Sequence, residues 1–446
     1  MTAPILIYNL FPRLVGPLDR WLPHAHRAAE LGFSWLFVNP VQPPGLSGSI
    51  YSIKDHLRVD PDLLPPGTTG DGRPELQQVL GQIHDLGLKV MVDLVVNHTA
   101  IDSPLIASHP AWFSWSEENG TATVRHPFVD EAGNPPRRVI WGDLAEVNNE
   151  TSDDLEGLWS YWEEVVTEGV RLGFDGFRCD AAYKVPARLW RRLTTRARSL
   201  LPEAMFAAET LGCGIREILA LQGCGFDLLF NSSKWWNFDQ PWALEQHELF
   251  QSVAPSISFP ESHDTERLAE TTGGLLAVQQ QRYAFAAAFS KSLMIPIGYE
   301  FGARRRLDVV TTRPESWEEP ALDLQAFIRR VNELKGEHPL LQREGEIFAL
   351  TPFDRPTLVL GRRDPAWREG MLILINKDWR QPQPVQLPSS LAERIGTHPK
   401  RLRLHRLFAG SEEEWPAEEW LMLEPAEVVY ALGPPPPVTP APSSLP

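Results

Sequence analysis

The stretch LKVMVDLVVNHT, residues 88–99, decides how the chain is read. It is a short apolar run rich in valine that ends in polar groups: Asp93, Asn97 and His98. Before it stands PELQQVLGQIHDLG, residues 74–87, whose apolar positions recur at helical spacing and which closes on a glycine. A helix feeding a buried strand is the repeating unit of a parallel sheet with crossover helices. Outward from this segment the same unit recurs. Apolar runs stand at ILIYNL (5–10), FSWLFVN (33–39), FDGFRCD (174–180), AMFAAE (204–209), FDLLF (226–230), SISFPES (256–262) and LMIPIGYE (293–300). Helical patterns lie between them, such as DRWLPHAHRAAELG (19–32), LEGLWSYWEEVVTEGVRLG (155–173) and PARLWRRLTTRARSL (186–200). With residues 88–96 this makes eight runs, the count of an α/β fold of the TIM (β/α)8 barrel type, whose active sites lie at the C-terminal ends of the strands.

Two regions depart from that repeat. Between residues 99 and 174 the connection is far longer than a usual βα loop. It holds HPAWFSW (109–115), EENGTAT (117–123) and PPRRVIWGDLAEVNN (135–149), and reads as a small subdomain inserted after strand three. Beyond about residue 340 short alternating strands take over: IFALTPF, TLVLGRR, GMLILINK, RLRLHRLF and EVVYAL. They predict a C-terminal antiparallel β-sandwich domain. The expected division is therefore a barrel over 1–99 and 156–338, an insertion over 100–155, a sandwich over 339–433, and a disordered proline-rich tail over 434–446.

Composition removes several function classes. Of 446 residues, 42 are basic and 58 acidic, for a formal net charge of -16. An acidic chain is a poor partner for nucleic acid or an anionic membrane, which select basic surfaces. No apolar run approaches a membrane span, and the start MTAPILIYNL carries no signal-peptide pattern. Cys179, Cys213 and Cys224 are too few and too irregular for a disulfide framework or a zinc site. Free thiols and a cytoplasmic address are the expectation.

Four segments end an apolar run with polar groups: MVDLVVNHT with Asp93, Asn97 and His98; GFDGFRCDAAYKVP with Arg178 and Asp180; MFAAETLG with Glu209; and FPESHDTERL with His263 and Asp264. A lone Asp after a strand is usually a cap or turn residue. Three carboxyl groups at the ends of strands four, five and seven converge on one pocket if the barrel closes. Arg178 and Asp180 are two apart and share a strand face, so the cation keeps that carboxylate ionised, as a nucleophile requires. Cys179 between them faces the other way and reads as packing.

These segments, in this order, resemble the α-amylase family of retaining glycoside hydrolases and transglycosylases, glycoside hydrolase family 13. DLVVNH, GFRCD, AAE and SHD match its four motifs in type and spacing, YSIKDHLRVDP (51–61) resembles its segment after strand two, and IGYEFG (297–302) its segment after strand eight. The resemblance implies Asp180 as nucleophile, Glu209 as general acid and base, and Asp264 as the carboxylate that holds sugar hydroxyls and stabilises the oxocarbenium-like transition state. It implies that His98 and His263 donate to the same sugar, Arg178 orients Asp180, Tyr51 stacks under the reacting ring, and Tyr183 and Lys184 contact the acceptor. Trp112, Trp115 and Trp141 are candidates for stacking on a glucan or for packing the insertion. Ser262, where many relatives carry Asn, and AAYKVP after the nucleophile both border the acceptor side. No cofactor is required on this reading. Calcium is carried as an option, with Asn97 and Asp143 as its candidate ligands.

The implied activity is double-displacement cleavage of α-1,4-glucosidic bonds in maltodextrin or glycogen. A 4-α-glucanotransferase or maltosyltransferase would use the same residues. An inactive glycan-binding relative is the third reading, and the intact carboxylate set argues against it. The expected partner is an α-glucan or malto-oligosaccharide, with no nucleic acid and no membrane.

Overall fold

The computed structural model describes residues 4–118, 120–131, 137–364, 370–416 and 419–433. The proline-rich tail expected to be disordered lies outside the described residues. Eight strands form one parallel sheet: β1 (Ile5–Leu10), β2 (Trp35–Val38), β3 (Lys89–Leu94), β4 (Gly176–Cys179), β5 (Met205–Glu209), β6 (Leu228–Phe230), β7 (Ile257–Ser258) and β8 (Ser292–Pro296). Their spatial order is β6-β5-β4-β3-β2-β1-β8-β7. A parallel bridge from Leu229 to Ser256 joins the two ends, so the sheet closes into a barrel. Helices alternate with the strands: α1 (Leu22–Glu30), α2 (Arg73–His84), α3 (Leu155–Leu172), α4 (Ala187–Leu200), α5 (Ile215–Leu219), α6 (Trp242–Phe250), α7 (Leu276–Phe289) and α8 (Gln325–Glu337).

The strands are continuously apolar because both of their faces are buried. Along β3, Val90, Val92 and Leu94 join the outer core against the helices, while Met91 joins Ile7, Trp35, Phe37, Ala207, Leu228, Phe230, Ile257, Phe259 and Met294 inside the barrel. The two-residue period then turns Asp93 inward one layer above Met91. On β4 the register sets Gly176 beside Met91 and Arg178 beside Asp93. Gly176 has a steric reason: a Cβ there would fall 2.6 Å from the Met205 carbonyl oxygen. Cys179 points to the outer core and is fully buried.

The insertion leaves the barrel through strand His98–Ala100, which pairs antiparallel with Leu144–Glu146. Two hairpins lie between, Trp115–Glu118 with Thr121–Val124 and Phe128–Glu131 with Arg137–Ile140. The chain rejoins the barrel at α3, whose first turn is capped by the Asp154 side chain accepting from Gly157 N–H.

The C-terminal region is antiparallel: β9 (Glu346–Ala349), β10 (Thr357–Arg363), β11 (Gly370–Asn376), β12 (Gln383–Gln386), β13 (Arg403–Arg406), β14 (Ser411–Glu414), β15 (Trp420–Leu423) and β16 (Val428–Leu432). Six of them order as β9-β10-β11-β16-β13-β14, and β12 pairs with β15 as a second layer. One face of the large sheet, with Leu358, Leu360, Ile373, Ile375 and Tyr430, packs into the barrel's outer core. The other face, with Val359, Leu372, Leu374 and Val429, packs on Leu387, Leu391, Leu421 and Leu423. Strand β11 is therefore buried throughout.

Candidate active site

The C-terminal ends of the barrel strands open on a cavity of about 400 Å³ lined by Tyr51, His98, Trp141, Asp143, Arg178, Asp180, Tyr183, Glu209 and Asp264, among others. Its floor is a buried network. Arg178 Nη1 lies 2.6 Å from Asp93 Oδ1 and 2.9 Å from Asp180 Oδ1, and Nη2 lies 3.5 Å from Asp264 Oδ2. One guanidinium thus reaches three carboxylates. Burial opposes its charge, but Asp93, Tyr51, Asp180 and Glu209 together push its pKa up, so it stays a cation.

The Tyr51 hydroxyl is the second hub. It donates to Asp93 Oδ2 at 2.8 Å, accepts from Asn39 Nδ2 at 3.0 Å, and lies 2.7 Å from His263 Nε2. Its one proton is given to Asp93, so His263 must donate through Nε2. That nitrogen also faces Asp264 Oδ2 at 3.1 Å. His263 Nδ1 is buried without a partner, as expected of the bare nitrogen in a neutral ring. Burial lowers the His263 pKa to about 4. The same cause raises the Asp93 pKa to about 7, with Arg178 opposing.

Glu209 ends β5. Its Oε2 accepts Ala181 N–H at 3.0 Å and its Oε1 accepts Leu211 N–H at 2.6 Å. Ala181, directly after Asp180, has a φ of +43°, in the left-handed region that alanine rarely adopts. That turn aims its N–H at the Glu209 carboxyl, and local strain of this kind gathers at functional sites. Burial raises the Glu209 pKa to about 8; Arg178 opposes, while Asp180 and Asp264 add to the rise. The group is a protonated acid at neutral pH.

The other sequence candidates fall in several places. His98 lines the cavity, but its Nε2 faces the Tyr51 carbonyl oxygen at 3.2 Å and its Nδ1 lies 3.3 Å from Asn97 Nδ2. Tyr51 stacks on the His263 ring, 5.9 Å between centroids. Tyr183 lines both this cavity and a larger neighbour of about 690 Å³ under the insertion. Lys184 lines the larger space alone, its amine 5.5 Å from the Phe128 and Tyr183 ring centroids. The tryptophans divide as well. Trp112 is core and donates to Asp154, Trp115 lines the larger cavity, and Trp141 lines the carboxylate pocket.

Asn97 and Asp143 line different cavities. Among the described residues no three His, Cys, Asp or Glu side chains converge as a metal cluster. Neither cavity's lining includes both candidate calcium ligands. Two residues escaped the sequence reading. Asp93 stood out there but received no role, and Asn39 was passed over. Asn39 ends the run FSWLFVN, so the signal that found the other segments was present. Asn9, at the end of β1, braces Asn39 at 2.8 Å.

Residues 2–132 match the family described as glycogen debranching enzyme, glucanotransferase domain. The chain is 28% identical over 408 residues to an alpha-1,4-glucan:maltose-1-phosphate maltosyltransferase of Burkholderia pseudomallei, covering 88% of this chain and 35% of that protein. It is 22% identical over 394 residues to a maltogenic alpha-amylase of Bacillus acidopullulyticus, covering 81% and 63%. The crystal structure of an alpha-amylase from Geobacillus thermoleovorans, complexed with acarbose, superposes with a TM-score of 0.74 at 17% identity, covering 96% of this chain and 98% of that one. The chain shares the fold of this solved alpha-amylase, and its sequence is similar to those of the maltosyltransferase and the maltogenic alpha-amylase. It spans about a third to two thirds of the length of the curated family relatives it matches, from 35% to 66%. That superposition takes in both the barrel and the antiparallel C-terminal region.

Proposed function

We propose that this chain is a retaining enzyme that cleaves α-1,4-glucosidic bonds of maltodextrin or glycogen by double displacement. One observation carries the reading. Two carboxyl groups beside one cavity are held differently: Asp180 is ion-paired to Arg178, whereas burial and acidic neighbours raise the Glu209 pKa to about 8. An ionised carboxylate next to a protonated one is the acid–nucleophile pair that glycosidic cleavage needs. In this mechanism Asp180 attacks the anomeric carbon while Glu209 protonates the departing oxygen. A covalent glycosyl-enzyme forms, Glu209 is left as a carboxylate, and it then takes the proton of the incoming hydroxyl. Asp264 holds the ring hydroxyls, and His263, whose Nε2–H is given to the Tyr51 hydroxyl, braces Asp264 from the side. Arg178 pairs with Asp180 and holds it in place.

Transfer to a sugar in place of water is the second reading, favoured by the larger cavity that shares Tyr183 with the carboxylate pocket. Its lining carries Glu146, Glu150 and Glu217 against Arg125 and Lys184, and Arg125 is already paired to Glu146. That balance suits a neutral glucan better than a phosphorylated sugar. Three unpaired cysteines fit a reducing compartment. No helix of the described residues is long and apolar enough to cross a membrane. We place the enzyme on this basis with internal glucan in the cytoplasm.

The test is a product profile by mass spectrometry on maltoheptaose, alone and with added maltose or inorganic phosphate. Short sugars with new reducing ends mean hydrolysis. A ladder above seven units without new reducing ends means transfer. A sugar phosphate formed only with phosphate present would overturn the preference for neutral sugars. Dialysis against a chelator is expected to leave turnover unchanged.

A further inference from the structure

The loop that carries His263 and Asp264 runs from the end of β7 to a short helix, Leu268–Thr271. A buried ion pair closes it. Arg267 Nη1 lies 2.7 Å from Glu261 Oε1, and the two side chains are only 2% and 1% exposed. The other Glu261 oxygen accepts Leu268 N–H at 2.5 Å. Arg267 also donates through Nη2 to the Ile297 carbonyl at 2.8 Å, just past β8, and through Nε to the Arg305 carbonyl at 3.1 Å. Every nitrogen of the guanidinium and both oxygens of the carboxylate have partners.

Such a pair gains little net stability over an apolar pair of the same shape, because both charges are stripped of water. A fully satisfied network does fix geometry. Between its two ends lie Ser262 to Glu266, with Asp264 in the middle. The Asp264 carboxylate itself is loosely held, 35% exposed, with Arg178 at 3.5 Å and His263 at 3.1 Å. Its backbone is gripped more firmly: Arg306 Nη2 donates to its carbonyl oxygen at 2.9 Å and Ser262 Oγ accepts its N–H at 3.2 Å. Main-chain placement, more than hydrogen bonds to its own carboxylate, sets where this side chain points.

We propose that Glu261 and Arg267 are positioning residues that set the Asp264 carboxylate against the reacting sugar, beyond any part they have in stabilising the fold. This rests on the reading of Asp264 as a substrate-binding carboxylate. The test is a mutant cycle measured with α-maltosyl fluoride, whose good leaving group keeps slow variants measurable. The paired variant E261L/R267M replaces the charges by apolar side chains of similar length. Its thermal midpoint is expected to stay within a few degrees of the parent, while kcat falls about a hundredfold and KM moves little. On the Asp264→Asn background the same pair of changes is expected to cost almost nothing more. Full additivity with Asp264→Asn would overturn the proposal, as would unchanged turnover per folded molecule. Should the paired variant fail to fold, Glu261→Gln in the same cycle gives the same two answers. A parent protein that turns over neither maltoheptaose nor the fluoride removes the glucan reading and the inference with it. An active parent with an additive cycle removes the inference alone.

Discussion

Two of the buried clusters of charge, one at each end of the barrel, are solved differently. At the mouth, Asp93, Asp180, Glu209 and Asp264 gather around one cation, Arg178, and all but the buried Asp93 line the cavity. At the bottom, where α7 runs into β8 beside α8 and β10, Lys335 and Arg362 are fully buried. The Lys335 amine donates to the carbonyls of Ala287, Ser290 and Leu341. Arg362 donates to those of Ala288 and Arg343. Burial lowers the pKa of both cations, just as it raises that of Glu209. A displaced titration is thus common to the two places and does not mark chemistry by itself. What separates them is satisfaction. The bottom cations spend their donors on backbone carbonyls, whereas the mouth leaves an excess of like charge beside a cavity, which a substrate with many hydroxyls can complete.

The comparison breaks first if the mouth carboxylates can be removed without consequence. Asp180→Ala and Glu209→Gln are each expected to lower kcat at least about a thousandfold, with the far-UV spectrum and thermal midpoint kept. Near-parental turnover in either variant takes that residue out of the mechanism. NMR of the first-formed sugar should show the α anomer, since two displacements restore configuration. An early β product would mean a single displacement.

The pH profile sharpens the same point. Glu209 must start protonated, and its pKa is raised to about 8. A raised carboxyl keeps its proton through neutrality, so activity is expected on the acid side and lost as pH climbs through about 8. Glu209→Gln should show only a low residue of activity without that alkaline limb. A limb that survives in this variant belongs to another group.

Much of this was legible before the fold was known, for a physical reason. Barrel strands are buried on both faces, so runs such as LKVMVDLVV stand out without any need for alternation. The closing polar residue of each run then lands at the mouth, which gave Asp180, Glu209, Asp264 and Arg178 together. Contacts across distant segments were not legible. Tyr51 was expected under the sugar ring; what was not foreseen is its hydroxyl joining Asn39, Asp93 and His263. Asn39 was missed because its partner lies on a loop 12 residues away whose return to the mouth no local pattern announces. Lys335 reads in sequence as an ordinary helical lysine, and only the packing of α7 and β10 against α8 buries it. Five of the C-terminal strands, β9, β10, β11, β13 and β16, were legible as short apolar runs, whereas the more exposed β12, β14 and β15 were not. That β11 is buried on both faces follows from the barrel beneath it.

Lys335→Met tests the other cluster. Three backbone carbonyls lose their donor, at a cost of about 3 kcal/mol in unfolding free energy. A denaturant midpoint reads that loss, and kcat per folded molecule should not move. A fall in kcat with stability kept would give the bottom cluster a role that its satisfied geometry does not suggest. Tyr51→Phe is a smaller change at the mouth. It removes the donor to Asp93 and the neighbour of His263, and is expected to lower kcat/KM about tenfold, near the 1.4 kcal/mol of one hydrogen bond to a charged group. A loss as large as that of Asp180→Ala would make the hydroxyl a participant in the reaction.

The smallest effect is expected between the two cavities. Lys184 sits over Phe128 and Tyr183, outside the carboxylate pocket, and no ion pair holds it among the described residues. On the proposed mechanism its charge acts only on an acceptor that enters the larger space after the covalent intermediate has formed. Lys184→Ala should therefore leave the release of fluoride from α-maltosyl fluoride unchanged, since that step needs only the mouth. It should raise the KM for an added maltose acceptor about fivefold, near 1 kcal/mol for a lost contact to a cation at a partly exposed aromatic site. The ratio of transfer product to free sugar, followed against maltose concentration, separates the two steps. Equal loss in both would show that the cavities act as one, and the line drawn here between mouth and acceptor space would have to move outward to include Lys184.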